Sequence, residues 1–337
     1  MAERLGVVLL NLGGPDSLEA VEPFLYNLFR DPDIIDFPLS FLFRKGLAKV
    51  ISSRRAPRVM EQYKAIGGKS PIREYTEQQA SRLEEELNRQ GLDARVYVAM
   101  RYWRPSTEEA LEAIERDGVT RVILLPLYPQ YSKATTLSSM KEWEKQVKQR
   151  ASKIEAELID SYFSFQPYID AFVERVDQGL ARFPEDRRDE VNILFSAHGT
   201  PMKLVRQGDP YSHQIAKTVE AIMERGRFSQ PHHLCYQSKV GPLKWLEPST
   251  PETIHKLAAE GVKNMLLVPV AFASDHLETL FELGVEYRRE ANEAGVLQYE
   301  VTEGLNLSPK FIDALAQLVF EKIDSRESIR LSNAGAG

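Results

Sequence analysis

Four stretches of this chain run apolar for most of a strand's length and then stop at Gly, Pro or a polar residue: "GVVLLNLGGP", "VILLPLYPQYS", "VNILFSAHGTP" and "NMLLVPVAFASDH". Each is rich in Val, Ile and Leu and too short for a helix, the pattern of strands buried on both faces. Between them lie segments with helical spacing of apolar positions, such as "STEEALEAIERDG". Strand and helix in alternation predict parallel sheets covered by helices.

The pattern repeats. "PSTEEALEAIERDGVTRVILLPLY" (105–128) aligns without a gap to "PSTPETIHKLAAEGVKNMLLVPVA" (248–271), with Pro, Ser, Thr, Glu, Gly, Val and the strand Pro coinciding. Upstream, "VYVAMRYWRP" and "HLCYQSKVGP" occupy matching places, and "NLGGP" pairs with "HGTP". The expectation is two similar α/β halves, 1–158 and 159–307, divided near the charged stretch "KQVKQRASKIEAE", with a C-terminal helix over 308–330 joined to the first half. Ligands of open α/β sheets bind beyond the carboxyl ends of the strands. Chemistry is therefore expected at the polar ends of the four runs, in a cleft between the halves.

Composition narrows the classes. The chain has 337 residues, enough for about two ordinary domains. With 43% hydrophobic and 27% charged residues it reads as a globular protein with sizeable cores. The net charge of −6 leaves no basic surplus to neutralise phosphates, so no nucleic-acid partner is expected. No apolar run approaches a membrane span, and "MAERLGVVLLNLGG" meets Gly, Pro and acid too early for a signal peptide. One cysteine, Cys235, excludes a disulfide framework or a cluster held by several cysteines of the chain. A reducing, cytoplasmic address fits.

The densest chemistry is "ASDHLETLFE" (273–282), one histidine and three carboxylates at the end of a buried run. Asp275 and Glu278 have the spacing of an N-terminal capping box. Glu282 falls four residues after Glu278, on the same face of an α-helix, where like charges repel unless a cation or a shared proton lies between them. His276, two residues from Glu278, should point elsewhere. "SAHGTP" puts His198 in a turn directly after a strand, either as a turn residue or as an imidazole facing the same cavity as Glu278. Imidazole with carboxylates suits a transition metal or proton transfer near neutral pH. "GGKS" (67–70) fails as a phosphate loop, because Tyr63 stands where the first glycine must be and Pro71 follows. In "IIDFPLSFLFRKGLAKVISSRR", Phe37, Leu39, Phe41, Leu42 and Phe43 precede Lys45, Lys49, Arg54 and Arg55. This segment reads either as core or as an apolar lip backed by cations, suited to a greasy ligand with carboxylates or to a membrane surface.

"LLNLGGP", "RRAPRVMEQYKAIGGKSPI", "MRYWRP", "LYPQYS", "FSAHGTP", "YQSKVGP", "WLEPST" and "PVAFASDHLETLFEL" together resemble the ferrochelatases, in the family's order and over nearly the whole chain. The resemblance implies two Rossmann-like domains around a porphyrin cleft and insertion of Fe²⁺ into protoporphyrin IX, giving protohaem and two protons. It maps the active-site histidine to His198 and the facing carboxylate to Glu278, both also candidate metal contacts. Asp275, His276 and Glu282 would carry protons or metal. Arg55, Tyr63 and Ser70 match porphyrin contacts, and Leu12, Arg101, Tyr102 and Trp245 match positions lining the pocket. The branch using coproporphyrin carries Tyr-Gly-Thr-Pro where this chain has "LGGP", so Leu12 implies protoporphyrin. The lip resembles the cleft mouth of the membrane-associated branch, implying peripheral contact with a membrane surface. Animal members hold a [2Fe–2S] cluster on four cysteines. Lys133 stands where one would fall, so ferrous iron is expected as substrate only, with no resident cofactor. The rival readings are a chelatase for another tetrapyrrole, such as cobalt into sirohydrochlorin, a porphyrin carrier without catalysis, and a two-lobed solute-binding protein.

Overall fold

The computed structural model describes residues 4–32, 34, 40–239 and 243–334. Two four-stranded sheets, parallel throughout, form its frame. In the first, β1 (Leu5–Asn11) lies between β2 (Ala94–Met100) and β3 (Arg121–Pro126), with β4 (Glu155–Leu158) at the edge. The second repeats that order with β5 (Asn192–His198) between β6 (His232–Gln237) and β7 (Asn264–Val268), and β8 (Gln298–Val301) outermost. The four apolar runs are the central strands β1, β3, β5 and β7, as burial on both faces requires.

In the first half α1 (Val21–Phe29), α2 (Ser40–Ala65) and α3 (Ile72–Arg89) connect β1 to β2, α4 (Thr107–Arg116) leads to β3, and α5 (Ser138–Arg150) to β4. Then α6 (Gln166–Leu180) precedes β5, α7 (Met202–Arg206) and α8 (Tyr211–Gly226) precede β6, α9 (Thr250–Ala259) precedes β7, and α10 (Tyr287–Glu293) precedes β8. The last helix, α11 (Pro309–Ala334), packs on both α3 and α6 and so touches elements of both halves.

Strand alternation divides the core. Val7, Leu9, Ile193 and Phe195 face one continuous core shared with α3, α6, α8 and α11, including Leu83, Phe172, Ile215 and Phe311. Val8 and Leu10 point to a separate core under α4 and α5, and Leu194 to one under α9 and α10. Each large buried apolar side chain contributes roughly 1.5–3 kcal/mol relative to exposure. That shared core holds the two halves together.

The internal repeat survives in atomic detail. Ser106 and Glu109 form a complete capping box at α4, and Ser249 and Glu252 form the same box at α9. Each helix follows a cis X–Pro bond, Arg104–Pro105 and Glu247–Pro248. Leu9 pairs with Val98 and Leu125 in the first sheet, as Phe195 pairs with Leu234 and Val268 in the second. Those registers make Leu12 the counterpart of His198 in the repeat, and Tyr102 that of Ser238. The connection after β6 is longer than that after β2, and its additional residues include Trp245. A π-helical segment follows the third strand of each half, Lys133–Leu137 and Glu278–Glu286.

Candidate functional site

His198 ends the central strand β5, at the carboxyl edge where a parallel sheet presents ligands. The next residue, Gly199, donates its N–H to the Gln237 carbonyl at 2.8 Å, and the buried Tyr211 hydroxyl donates to the His198 carbonyl at 3.0 Å. Burial pushes the imidazole below its ordinary range, opposed by the negative charge of Glu278 and reinforced by His276. The ring is therefore kept neutral, able to accept a proton or to ligate a metal. Phe272 stands edge-on to it at 6.2 Å and tilts against the His276 ring at 4.4 Å.

His276 does not point away from Glu278. Its Nε2 lies 3.0 Å from Glu278 Oε2, while Nδ1 faces the Ser274 carbonyl at 3.0 Å. Both ring nitrogens meet acceptors, so the arrangement is satisfied when the ring carries both protons or when Glu278 carries one. The pair can hold a proton and pass it on.

From the other half, Tyr63 of α2 reaches the same neighbourhood. Its buried hydroxyl is held far above its ordinary range by desolvation and by Glu278, and it bonds Ser70. Leu277 packs on the cluster containing Tyr63. The Ser70 N–H donates to the Pro15 carbonyl at 2.8 Å, and a Cβ on Gly14 would come within 2.6 Å of Ser70. The "LGGP" turn carrying Leu12 and the "GGKS" segment are thereby locked together. Trp245 stands next to the residue after His198, bridging to Pro201 and lying against Gly199.

Several expectations need correction. Asp275 caps no helix: it accepts from the Gly304 N–H, the Asn306 side-chain amide at 2.6 Å and the Thr279 hydroxyl at 2.8 Å. These donors occupy the carboxylate, so the capping box with Glu278 does not form. Glu278 and Glu282 are not stacked as i and i+4 of an α-helix, because Glu278–Glu286 is π-helical and its repeat is wider. Glu282 takes the Ser238 N–H at 2.9 Å and O–H at 2.7 Å, together with the Tyr287 hydroxyl five residues on. Burial raises its carboxyl above the usual range, and these donors pull it back. Among the described residues no group of three or more His, Cys, Asp or Glu could hold a metal ion.

Arg101 and Tyr102 turn toward Asp31, which is 1% exposed: Arg101 Nη2 and the Tyr102 hydroxyl both donate to its Oδ2 at 2.7 Å, and Ser138 does so at 2.6 Å. They border a cavity of about 360 Å³ that Arg30, Lys141 and Glu142 also line. Arg55 sits half-buried with its guanidinium over the Phe29 ring at 5.4 Å. Burial pulls its pKa down, and Arg58 adds to this. Of the apolar lip, Phe37 and Leu39 and the side chains of Phe41 and Leu42 lie outside the described residues. Phe43 is 64% exposed, and with exposed Leu47 and Val50 it makes one stripe along α2. Among the described residues no helix is long and apolar enough to cross a membrane. Asp31, Ser238, Phe272, Tyr287 and Asn306 escaped the sequence reading. Of these Ser238 and Phe272 lay inside quoted motifs.

Residues 4–323 match the family model described as Ferrochelatase. The ferrochelatase of Geotalea uraniireducens (strain Rf4) is 48% identical over 326 residues, covering 96% of this chain and 100% of that protein. That of Gloeobacter violaceus (strain ATCC 29082 / PCC 7421) is 49% identical over 328 residues, covering 96% and 98%. Among solved structures, SirB from Bacillus subtilis with Fe³⁺ superposes with a TM-score of 0.56 at 11% identity, over 96% of this chain and 98% of that one. CbiX, titled the terminal enzyme for biosynthesis of siroheme in denitrifying bacteria, gives 0.50 at 12% identity, over 95% and 99%. These two share the fold: two parallel sheets flanked by helices.

Proposed function

Because the chain belongs to the ferrochelatase family, and is thereby an enzyme that inserts a metal into porphyrin in haem biosynthesis, we propose that His198 and Glu278 carry the chemistry, with ferrous iron and protoporphyrin IX as substrates. The observation that carries this reading is His198 itself, a buried imidazole held neutral at the end of a central parallel strand within the field of Glu278. Insertion forms four Fe–N bonds and releases two pyrrole protons. A neutral imidazole accepts one such proton at a time, and the His276–Glu278 pair is suited to take protons onward. Tyr63, Ser70, Leu12 and Trp245 wall the cleft, and Arg55 supplies positive charge for a propionate. An apolar Leu12 favours protoporphyrin over a more carboxylated porphyrin. Arg101 and Tyr102 act on the pocket through their anchoring at Asp31.

The finer address goes with this proposal. Residues 1–158 and 159–307 are taken as the two domains, with 308–330 joined to the first. The protein works in the cytoplasm, touching a membrane surface through the Phe43–Leu47–Val50 stripe. A single buried cysteine cannot supply four thiolates, so iron enters as substrate and no iron–sulfur cluster is carried.

The test is anaerobic mixing of the protein with Fe²⁺ and protoporphyrin IX, followed at the Soret band. His198→Ala is expected to abolish metalation while still binding porphyrin. Glu278→Gln should lower turnover far more than porphyrin affinity. Wild-type turnover in His198→Ala would remove that residue from the site, and loss of affinity with turnover preserved would make Glu278 a binding residue.

A further inference from the structure

We propose that Glu282 is a positioning residue: it fastens Ser238, the first residue of the connection that leads to Trp245 beside Gly199, and is not a ligand on the metal's route. The proposal rests on His198 being at the reaction centre.

The carboxylate is already engaged. A carboxylate offers about four lone-pair sites, and Glu282 has three filled by protein donors, two from Ser238 and one from Tyr287. A metal held through both oxygens would have to displace at least one of these donors. Ser238 also has φ +66°, the left-handed region that a residue with a side chain rarely adopts. By accepting from both the N–H and the O–H of Ser238, Glu282 holds that conformation in place. At the far end of the connection, the Lys244 carbonyl accepts the Met202 N–H at 2.9 Å, the Leu246 N–H donates to the Thr200 carbonyl at 3.0 Å, and Trp245 lies against Gly199. One end is thus tied to the π-helical segment and the other to the residues directly after His198.

The first half repeats the device. Tyr102 holds the register position of Ser238, and its hydroxyl donates to Asp31, a buried carboxylate that also takes Arg101 and Ser138. In each half, the residue at this register position, Tyr102 just beyond β2 and Ser238 just beyond β6, bonds a carboxylate that takes further protein donors. Glu282 is the second-half version of a structural anchor, placed where its anchoring shapes the porphyrin wall.

The experiment measures kcat and KM for Fe²⁺ and for protoporphyrin IX separately, in the full chain, for Glu282→Gln, Ser238→Ala, their double variant and Tyr287→Phe. Glu282→Gln should raise the porphyrin KM by roughly 10- to 100-fold, the scale of lost hydrogen bonds to a charged group. The Fe²⁺ KM should stay put, and adding Ser238→Ala should cost nothing further, since both remove one anchor. Tyr287→Phe should shift the porphyrin KM the same way, by less. Ser238→Ala and Tyr287→Phe carry the test should the Glu282 variants fail to fold. A raised Fe²⁺ KM with the porphyrin KM unmoved, additive effects in the double variant, or no change in either KM would overturn the anchor. Turnover surviving in His198→Ala would instead sink the assignment of the reaction centre, leaving these KM patterns to be judged separately.

Discussion

Gly199→Ala probes the join between fold and site with one methyl group. A Cβ at Gly199 would stand 2.9 Å from the Gln237 carbonyl oxygen and 3.2 Å from Trp245 Cε3. The indole edge can give a little, but the carbonyl cannot. It accepts the Gly199 N–H at 2.8 Å, and Gln237 is paired in register with His198. Restoring ordinary contact therefore requires the backbone on one side to retreat by about half an ångström. Forced overpacking of this kind costs about 1–3 kcal/mol. For a chain of this size, that lowers Tm by about 2–8 °C.

The retreat also displaces the imidazole by a similar amount. A misplacement of about 1 Å can cost about 10²-fold in rate, so roughly 10-fold in kcat is the expected scale. Thermal unfolding and the anaerobic Soret assay at saturating porphyrin read the two effects. Gly46→Ala is the control: in α2, nothing lies within 4 Å of its added Cβ, and Ala is preferred over Gly in a helix by about 1 kcal/mol. It should hold or raise Tm. A Gly199→Ala protein with both Tm and kcat of the wild type would refute the reasoning, since the close approach would then be neither tight nor coupled to His198.

Asp31→Ala should cost about 3–5 kcal/mol in chemical denaturation, because it strands the Arg101 charge, 15% exposed, and takes the shared acceptor from the Tyr102 and Ser138 hydroxyls. A loss under about 1 kcal/mol would mean that Glu142, 3.8 Å from Arg101, or water replaces it. The His198 imidazole has its pKa lowered by burial, so the unfolded chain takes that proton before the folded one does. Below the ordinary histidine value of about 6.5 the unfolded state binds more protons, and stability must fall as pH falls. Urea midpoints from pH 7.5 to 5.5 should drop more steeply in the wild type than in His198→Gln, and parallel curves would sink the claim of a neutral buried ring.

What could be read from the residues was whatever is encoded locally. The coinciding Pro-Ser-Thr and Glu positions of 105–128 and 248–271 and the Val/Ile/Leu runs of β1, β3, β5 and β7 are complete within a few residues, and they carried the duplication and the sheet class. The edge strand β4, "EAEL", is half exposed and has no such signature. Asp275 shows the opposite limit. Its local spacing with Glu278 was that of a cap, but Gly304 and Asn306, about thirty residues away, are stronger claimants that no window around Asp275 contains. The spacing of Glu278 and Glu282 misleads for another reason. Their shared face requires 3.6 residues per turn, and a π-helical stretch does not announce itself in the order of apolar positions. Tyr63 and Ser70 came from the resemblance alone, since only folding brings α2 beside Glu278.

The two halves also differ in the ionisable groups they bring to equivalent positions. Leu12 and His198 end equivalent central strands, and at the offset that aligns the later strands Lys133 corresponds to His276. Lys133 spends its ammonium on the Gln207 carbonyl, whereas His276 turns to Glu278. The same backbone positions thus give an apolar residue and a structural cation in the first half, and a histidine and a histidine–carboxylate pair in the second. On the proposed reading, a planar macrocycle lying between Leu12 and His198 would meet the imidazole and the His276–Glu278 pair on one face. Two like-charged walls would instead compete for the same protons and raise the cost of desolvating both. On the proposed reading, removing pyrrole protons and admitting the cation need not share a face, and the asymmetry between Leu12 and His198 is what allows them to be separated.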